Sequence, residues 1–542
     1  MPENIIQIKS LPGIKRDGTR FEGDNYVDGQ WARFQRGLPR KIGGYRSINK
    51  YLSDVVRSMI DYSYNGLTYV HCGSATKVER FYIDNSNNTS VITDRTPTSG
   101  YTADDQNVWQ FDIETLLSGG VPTAQLIAQV APNGEFLSNN TGGELFYGDL
   151  FATTPLLPIT DIPTGFSCSG GVVALHPYTF AFGNNGYIAW SVAGDPTDFT
   201  STGSGSVNVT SQKIVKGMAL RGGPGNSPSG LFWSADSLIR GSFVGGDAVF
   251  QFDVLSTQTS ILSPSTVIEY DGIFYWCGVD RFLMFNGVVR EIENNLNINW
   301  FFDGLNYTYR QKVFATKVPR FGEIWWCYPR GDATECTHAV IYNVRENTWY
   351  DTELPNGGRS AGLFPTVFRK PLMTGTIPTV NPTYYRVTED DDARITEEGE
   401  LRVTEESEGE SFRLWIHEQG VDEIDGQDIQ PVQSYFETAD ISLPVQSQVN
   451  NAIQVQIIEP DFVQSGPLIV QVMGRRNARS AEVEGPIMTI TETATTPQEE
   501  VVYFKEQRRE LRFRFESNVI GGDYQMGLVL AHVQPGDGTT RS

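Results

Sequence analysis

Histidine and cysteine are the side chains most often used to bind catalytic metals or to act as nucleophiles, so their spacing in the sequence can indicate such a site. The histidines never occur in H-x-x-x-H or H-E-x-x-H spacing, and the cysteines are odd in number, far apart and never arranged as C-x-x-C. These spacings favour neither a metal site nor a disulfide framework. The residues concerned are His71, His176, His338, His417 and His532, and Cys72, Cys168, Cys277, Cys327 and Cys336.

Other catalytic signatures are also missing from the sequence. No G-x-S-x-G elbow occurs, and the glycine-rich stretch Gly222-Gly-Pro-Gly-Asn-Ser227 lacks the Gly-Lys-Ser/Thr ending of a phosphate-binding loop. The Ser-x-Asp-x-Gly-x-Thr-Trp box typical of sialidases is absent, whereas carboxylate pairs are too numerous to single out one for glycosidase chemistry. We therefore predict that the protein is not an enzyme and has no catalytic, cofactor-binding or metal-binding residues.

Composition and charge limit the possible functions further. The chain has 542 residues, a net charge of −23 and 12% aromatic residues, with 54 Gly and 28 Pro. Abundant glycine, proline and aromatic residues favour many short strands joined by turns. The acidic charge disfavours wrapping of DNA but suits a surface that DNA slides past, or simply a soluble protein. No signal peptide and no run of 18 apolar residues is seen, so we predict a soluble protein made in a reducing cytosol, without a membrane anchor.

A short motif, glycine followed within two to four residues by a large aromatic residue, recurs along the middle of the chain. Together with Trp109, which lacks its glycine, the aromatic residues lie 40, 37, 44, 43, 43 and 49 residues apart. A four-stranded propeller blade takes roughly 40–50 residues. The motifs are Gly66-Leu-Thr-Tyr69, Gly143-Glu-Leu-Phe146, Gly186-Tyr-Ile-Ala-Trp190, Gly230-Leu-Phe-Trp233, Gly272-Ile-Phe-Tyr-Trp276 and Gly322-Glu-Ile-Trp325.

The pattern predicts an all-β protein containing a β-propeller of about six blades, within residues 51–383. Residues 265–292 illustrate one blade, because they alternate short apolar runs with turns such as Asn286-Gly287. An array of β-sandwiches would also repeat turns, but radial closure protects the sheet edges that an open array would expose. One segment departs from the pattern: Ile292, Leu296 and Trp300 share a helical face and predict a short helix within 291–302.

Residues 1–50 are predicted to form a basic N-terminal arm and the first strands, with ten Lys and Arg against five Asp and Glu. The stretch Trp31–Tyr45 alternates aromatic and basic residues. Such a pattern fits either nucleic-acid contact, by phosphate pairing and base stacking, or a strand pair that meets an acidic neighbouring subunit. In a protein of this acidity we favour the second interpretation.

Residues 384–416 contain an eight-residue repeat, with Arg386-Val-Thr-Glu, Arg394-Ile-Thr-Glu and Arg402-Val-Thr-Glu. Its many carboxylates suggest calcium, but the ordered D-x-D-x-D-G spacing is absent, so solvated acidic hairpins are the favoured interpretation. Residues 417–542 carry alternating apolar runs without the glycine–aromatic motif and predict closing strands and a C-terminal β-sandwich-like domain.

Several patches of the sequence resemble the tail nozzle, or packaged-DNA stabilisation, proteins of short-tailed bacteriophages (podoviruses). The similarity touches most of the chain as separate stretches. They are Leu11–Phe21, Tyr26–Tyr45, Asn107–Asp112, Gly186–Asp198, Tyr270–Gly287, Arg509–Asn518 and Gly521–Gly527.

The resemblance implies a structural virion protein, assembled in the bacterial cytoplasm into a homo-oligomeric ring, expected to be a hexamer. Such a ring lies below the portal and adaptor, contacts tail fibres, retains the packaged genome and passes double-stranded DNA during ejection, without sequence-specific binding. We expect its lumen to be enriched in Asp and Glu. Two alternatives stay open: a propeller adhesin or lectin-like module that holds a host glycan or tail fibre, and a propeller glycosidase with convergent carboxylates and arginine in a central pocket.

Overall fold

The fold was analysed in a computed structural model of the chain. It describes residues 4–19, 23–98, 101, 103–105, 107–118, 121–130, 145–166, 168–220, 227–355, 357–380, 408–441, 452–475, 479–496 and 498–536. The chain begins with seven strands: Asn4–Ile8 (β1), Leu11–Ile14 (β2), Asn25–Tyr26 (β3), Asp28–Gln30 (β4), Ala32–Gln35 (β5), Leu38–Lys41 (β6) and Tyr45–Leu52 (β7).

Six antiparallel four-stranded sheets follow, each built from four consecutive strands. Blade 1 contains Val56–Tyr64 (β8), Leu67–Ser74 (β9), Val78–Ile83 (β10) and Thr93–Asp94 (β11). Blade 2 contains Gln110–Ser118 (β12), Val121–Gln129 (β13), Leu145–Asp149 (β14) and Leu157–Pro158 (β15). Blade 3 contains Gly171–Leu175 (β16), Tyr178–Phe182 (β17), Tyr187–Trp190 (β18) and Gly205–Asn208 (β19).

The next three sheets repeat this order. Blade 4 contains Ile214–Ala219 (β20), Ser229–Ser234 (β21), Leu238–Phe243 (β22) and Phe250–Ser256 (β23). Blade 5 contains Ile268–Tyr270 (β24), Ile273–Cys277 (β25), Phe282–Phe285 (β26) and Val289–Glu291 (β27). Blade 6 contains Phe314–Val318 (β28), Glu323–Tyr328 (β29), His338–Asn343 (β30) and Thr348–Glu353 (β31). Short 3-10 helices lie at Asn184–Gly186, Gly246–Ala248, Pro264–Thr266 and Tyr307–Lys312.

A seventh blade closes the ring with strands from distant parts of the chain. Its strands are Ala361–Leu363 (β32), Leu372–Val380 (β33), Glu408–His417 (β34) and the N-terminal β7. Strand β34 pairs antiparallel with β7, and Asp422–Asp425 (β35) and Asp428–Pro431 (β36) extend the same sheet. The predicted propeller is therefore confirmed, with one blade more than the expected six. The extra blade was not expected because its strands come from separate parts of the chain.

Contacts between the first strands of the blades show the radial arrangement. Strand β8 lies against β12, β12 against β16, β16 against β20, β24 against β28, β28 against β32, and β32 against β8. Blades 4 and 5 join through a buried cluster in which the Trp233 and Trp276 rings lie edge to face, 5.7 Å apart. The first strand of each blade is therefore innermost and borders the propeller axis.

The recurring aromatic residues lie in the blades as the spacing predicts, but on two different strands. Six of the seven occupy the second strand of blades 1, 4, 5 and 6 and the third strand of blades 2 and 3, whereas Trp109 precedes the first strand of blade 2. Most are buried, with Trp276 fully inaccessible, whereas Tyr69 is half-buried. Gly272 has a φ of 80°, which explains why a glycine precedes the aromatic strand at that turn.

The C-terminal domain consists of three sheets that share one core, and it contains the N-terminal strands as well. The additional strands are Ser434–Glu437 (β37), Ile453–Glu459 (β38), Phe462–Ser465 (β39), Leu468–Arg475 (β40), Val483–Ile490 (β41), Val502–Arg508 (β42), Glu510–Ser517 (β43), Asp523–Met526 (β44) and Val529–Pro535 (β45). Strand β1 joins β45, β38 and β42, strand β4 joins β37, β43, β40 and β41, and β5 and β6 join β44 and β39.

These pairings change the view of the two chain ends. The basic segment 1–50 is not a separate arm, because its strands complete the C-terminal sheets and blade 7. Of the acidic repeat at 384–416, residues 384–407 lie outside the described residues, whereas the remainder belongs to the blade strand Glu408–His417. Strands β2 and β3 pair in parallel, and Gly13 in β2 lies so close to β31 that a Cβ there would meet the Trp349 carbonyl oxygen at 2.7 Å.

The predicted helix is shorter and begins later than expected. The helix Ile298–Gly304 (α1) contains Trp300, but Ile292 and Leu296 precede it. Phe301 is buried in α1 and packs 4.5 Å from the ring of Tyr328 in blade 6. Across the described residues, no helix combines the length and apolarity needed to cross a membrane.

Candidate functional site at the axial mouth

Two neighbouring cavities open at the end of the propeller axis where the innermost strands begin, which we call the axial mouth. The first cavity, about 220 Å³, lies among blades 2 to 6, and the second, about 210 Å³, lies among blades 1, 2 and 6. Val108 lines both cavities. Ligand sites of concave folds commonly lie at such axial openings, so this mouth is the candidate functional site.

A four-member ion-pair cluster, which we call the mouth cluster, fills the side of the second cavity. Arg57 contacts Asp105 at 2.7 Å and Glu335 at 2.5 Å. Lys312 contacts the same two carboxylates, Asp105 at 2.9 Å and Glu335 at 2.8 Å. Each charge in the cluster therefore faces two opposite charges.

Each member comes from a different part of the fold. Arg57 is the second residue of β8, Asp105 precedes β12, and Lys312 ends the 3-10 helix before β28. Glu335 lies in the connection between β29 and β30. The cluster thus ties blade 6 to blade 1 and to the segment leading into blade 2.

Burial and pairing set the protonation of the mouth cluster. Burial alone would raise the pKa of Glu335, but the hydrogen bond and charge of Arg57, with those of Lys312, outweigh it and lower the pKa. The pKa of Asp105 is lowered in the same way by Lys312 and Arg57. Burial would lower the pKa of Arg57, yet Glu335 and Asp105 raise it. Both carboxylates are therefore ionised at neutral pH, so neither supplies the protonated general acid that glycoside hydrolysis needs.

The first cavity has a different character. Its charged lining residues are Lys213 and Arg310, and its amides include Gln110 and Gln129. Gln129 donates from Nε2 to the Cys168 carbonyl at 2.8 Å, and Gln110 donates to the carbonyls of Gly170 and Val215. These hydrogen bonds hold the ends of blades 2, 3 and 4 together around the cavity.

Further charges lie along the innermost strands below the mouth. Burial raises the pKa of Asp112 to about 6, although its carboxylate accepts the Ala174 backbone N–H at 2.9 Å, and burial lowers the pKa of Lys216. Lys317 donates to the Glu269 carbonyl at 2.6 Å and pairs with its carboxylate at 3.5 Å. The inner face of the propeller therefore has mixed charge.

Two arginines of the N-terminal segment do not follow the prediction made for that segment. Arg33, 1% exposed, pairs with Glu323 of blade 6 at 3.0 Å and donates to Glu418 at 3.0 Å. Arg16 pairs with Asp351 of blade 6 at 3.0 Å. The acidic surface that these arginines meet belongs to the same chain, so they are not free for a neighbouring subunit or for phosphate. The expectation fails for them because it considered only charges near in sequence.

The residues singled out for possible chemistry are dispersed. All five cysteines are free and buried, and burial raises the pKa of the Cys72 thiol. His71 and His417 are buried, and burial lowers the pKa of each well below its ordinary value. Among the described residues, no group of three or more His, Cys, Asp or Glu side chains is placed to hold a metal ion. Most of the loop 222–227 lies outside the part of the chain that the structure describes.

The residues that the structure brings together at the mouth were not identified from the sequence. Arg57, Asp105, Lys312 and Glu335 lie in three separated stretches, and none of the four occurs in a recognisable motif. Lys213 also sits in a polar stretch without distinguishing features. No local signal points to these residues, because their proximity depends on closure of the ring.

Comparisons with known proteins give limited information. No protein-family model matches the chain, and no curated protein sequence matches it significantly. Among solved structures, a Bacteroides uniformis protein assigned as a candidate 6-phosphogluconolactonase is similar, with a TM-score of 0.34 and 12% identity, over 65% of this chain and 98% of that chain. This likeness is too distant to say what the chain does, and the fold rests on the strand pairing described above.

Proposed function

We propose that the protein is a structural subunit of a short phage tail, forming a homo-oligomeric nozzle ring that continues the DNA channel. The proposal starts from the sequence resemblance, and the observation that carries it in the structure is the ion-paired mouth cluster. The cluster occupies the place where a catalytic propeller would hold its substrate, and all its charges are matched. A cluster whose charges already have partners within the chain suits a wall segment better than an enzyme.

Rigid coupling of the propeller to the C-terminal domain supports a wall role. One hydrophobic cluster includes Trp325 of blade 6, Trp415 of blade 7 and Phe515 of the C-terminal domain. Trp31 of the N-terminal segment packs edge to face on Trp325, 5.9 Å away. A continuous core of this kind resists hinge motion between the two parts.

Exposed sheet edges provide surfaces for assembly. Strand β41 is the edge of its sheet, and Ile487 on it is 64% exposed. Strand β39 is also an edge strand, with Val463 76% exposed. Exposed apolar edge strands favour pairing with another chain, and a ring of identical subunits needs two different patches to meet.

The charge of the chain is consistent with a conduit for DNA. If the ring is the expected hexamer, its six subunits of charge −23 carry a total charge of about −138. An acidic lumen would repel phosphates, so DNA would pass without adhering. In this proposal the ring docks on the tail adaptor and carries tail fibres, retains the genome until infection, and is located in the virion tail.

Analytical ultracentrifugation of the purified chain, with and without duplex DNA, tests the proposal. We expect an assembly of roughly 360 kDa, six chains of 60.3 kDa, that does not cosediment with DNA at physiological salt. A stable 60 kDa monomer at all concentrations, or tight DNA binding by the outer surface, would contradict it.

One observation favours the adhesin alternative. Rings of blades 1 and 2 cluster at the opposite end of the axis, where Phe151 lies 4.9 Å from Tyr64, 5.7 Å from Tyr62 and 5.3 Å from Tyr69. Tyr64 is 49% exposed. Partly exposed rings with polar tips suit binding of an amphipathic ligand. Saturable binding of oligosaccharides, lost in Tyr64→Ala, would support an adhesin, and its absence would leave the aromatic cluster as packing.

The glycosidase alternative predicted convergent carboxylates and arginine in a central pocket, and Asp105, Glu335 and Arg57 do converge there. The lowered pKa of both carboxylates nevertheless argues against acid catalysis. Sugar release abolished by Glu335→Gln would revive this alternative.

A further inference from the structure

The first cavity at the axial mouth is positively charged within a strongly acidic protein. Its described lining includes Lys213 and Arg310 and contains no Asp or Glu. The second cavity, by contrast, has the carboxylates of Asp54, Asp104, Asp105 and Glu335 in its lining. The chain as a whole has a net charge of −23, so the positive charge of this cavity lining is a local feature and does not follow from the overall composition.

Lys213 is the cation that lacks a counter-charge. No hydrogen bond or ion pair joins its ammonium to any described residue, unlike Lys312, which has two carboxylate partners. Burial lowers the pKa of Lys213, and no nearby carboxylate offsets that effect. Lys213 is half-buried, and a ligand that supplies negative charge would offset the cost of partly burying its ammonium.

Two more polar groups of the lining are unsatisfied. The Ser169 Oγ is buried and has no hydrogen-bond partner, and the same is true of the Gln110 Oε1. Both residues are only 9% exposed. Gln110 uses its amide nitrogen on the Gly170 and Val215 carbonyls, so its oxygen stays available as an acceptor. Buried polar atoms of this kind normally have a partner.

We propose that this cavity binds a small oxyanion that carries an O–H group, as monohydrogen phosphate does. The Lys213 ammonium pairs with its charge, the Ser169 hydroxyl donates to one of its oxygens, and the Gln110 oxygen accepts its O–H. Arg310, which is exposed at the rim, adds a second positive charge. A cavity of about 220 Å³ admits a single small molecule and excludes duplex DNA, so the ligand is a free anion.

Binding there would connect several blades of the propeller. The lining comes from the starts of innermost strands β12 and β20 and from the segments before β16, β24 and β28. Through Gln110, Ser169, Lys213 and Arg310, a bound anion would therefore link blades 2, 3, 4 and 6 and stabilise the closed ring by mass action. This inference does not depend on the proposed tail function.

Isothermal titration calorimetry of the full-length protein with inorganic phosphate tests the site. We expect saturable binding of one phosphate per chain, weakened at least about tenfold by Lys213→Met, because a charge-assisted hydrogen bond is lost. Lys213→Arg should keep most of the affinity, since the charge remains. Nitrate, which has no O–H donor, should bind more weakly than phosphate.

Lys317→Met is the matched control, because Lys317 is a half-buried lysine of an innermost strand with its own partner, Glu269, and it does not line the cavity. It should leave phosphate binding unchanged. Thermal unfolding adds a second readout: phosphate should raise the melting temperature of the wild type but not of Lys213→Met. Equal phosphate binding by wild type and Lys213→Met, or no saturable binding to the folded wild type, would overturn the proposal.

Discussion

Replacing Arg33 with Met tests how firmly the N-terminal segment joins the two parts of the molecule. Arg33 is 1% exposed and its partner Glu323 is fully buried, so the substitution leaves a buried carboxylate without its cation. Removing one partner of a buried ion pair costs about 3–5 kcal/mol. Glu323 keeps hydrogen bonds from the Tyr350 hydroxyl, at 2.6 Å, and from the Trp325 indole, at 3.0 Å, which places the expected loss near the lower limit.

This free energy converts into a modest change in melting temperature. An unfolding entropy of about 2.1 cal/mol/K per residue gives about 1.1 kcal/mol/K for 542 residues that unfold together. We therefore expect Arg33→Met to lower the melting temperature by about 3 °C at pH 7. Differential scanning calorimetry measures the change directly.

The pH dependence gives the prediction its sign. Burial already raises the pKa of Glu323 although Arg33 opposes this, and loss of Arg33 raises it further. A carboxylate whose pKa is higher in the folded than in the unfolded state lowers the free energy of unfolding at pH values above the unfolded pKa. This loss disappears at low pH, where the carboxylate is protonated in both the folded and the unfolded state. The difference between Arg33→Met and wild type should therefore shrink as the pH falls towards 4.

Arg36→Met is the matched control, since Arg36 lies exposed in the same hairpin. It should change the melting temperature by less than about 1 °C. If Arg33→Met melts like Arg36→Met, or if its deficit is as large at pH 4 as at pH 7, the buried ion pair does not hold the two parts together and the reasoning is wrong.

Three further predictions concern the blades and the mouth. Since Arg57 and Lys312 lower the pKa of Glu335, its ion pairs add to the free energy of unfolding above the unfolded pKa, and this contribution falls as the pH drops through the lowered pKa. Glu335→Gln should therefore cost about 1 kcal/mol by calorimetry at pH 7 and less in acid, and a loss that is the same at neutral and acidic pH would contradict this. Trp276 is buried between blades 4 and 5, so Trp276→Ala should lower the free energy of unfolding by about 3–5 kcal/mol in chemical denaturation. Tyr307→Ala, at a side chain that is 47% exposed, is the control, and an equal loss in both variants would exclude close packing between the blades. A thiol reagent followed by absorbance should label no cysteine in the native protein and five after denaturation; rapid native labelling would contradict the buried positions, which are Cys72, Cys168, Cys277, Cys327 and Cys336.

The repeated part of the propeller could be predicted because its signal is local. A glycine turn followed by a buried aromatic strand recurs within each of six blades, so spacing alone indicates the repeat. Trp233, Trp276 and Trp325 illustrate this, since each lies on the second strand of its blade and packs in a core. The shift of Trp190 to a third strand shows that the spacing marks the blade but not the strand.

The seventh blade could not be predicted because its strands are far apart in sequence. Strand β34 pairs with β7, joining His417 to Tyr45 and Phe412 to Leu52. Neither strand carries a local sign of the other, and the stretch 384–416 was interpreted by its charge instead. Ring closure, which protects both edges from solvent, determines this pairing.

Charge pairing was likewise decided by distant residues. The basic segment was predicted to meet an acidic neighbouring subunit. Its Arg33 and Arg16 instead pair with Glu323 and Asp351 of blade 6, about 300 residues away in the same chain. The mouth cluster follows the same rule, because Arg57 and Glu335 meet only when the first and sixth blades close around the axis. Counting charges in a window of sequence cannot reveal such pairs.

Cryo-electron microscopy of the purified full-length protein tests the proposed conduit most directly. We predict closed rings of identical subunits around a hole wide enough for duplex DNA, with Asp and Glu side chains more frequent on the inner wall than on the outer surface. Dispersed single propellers, or rings whose inner wall is dominated by Lys and Arg, would contradict a role as a DNA channel.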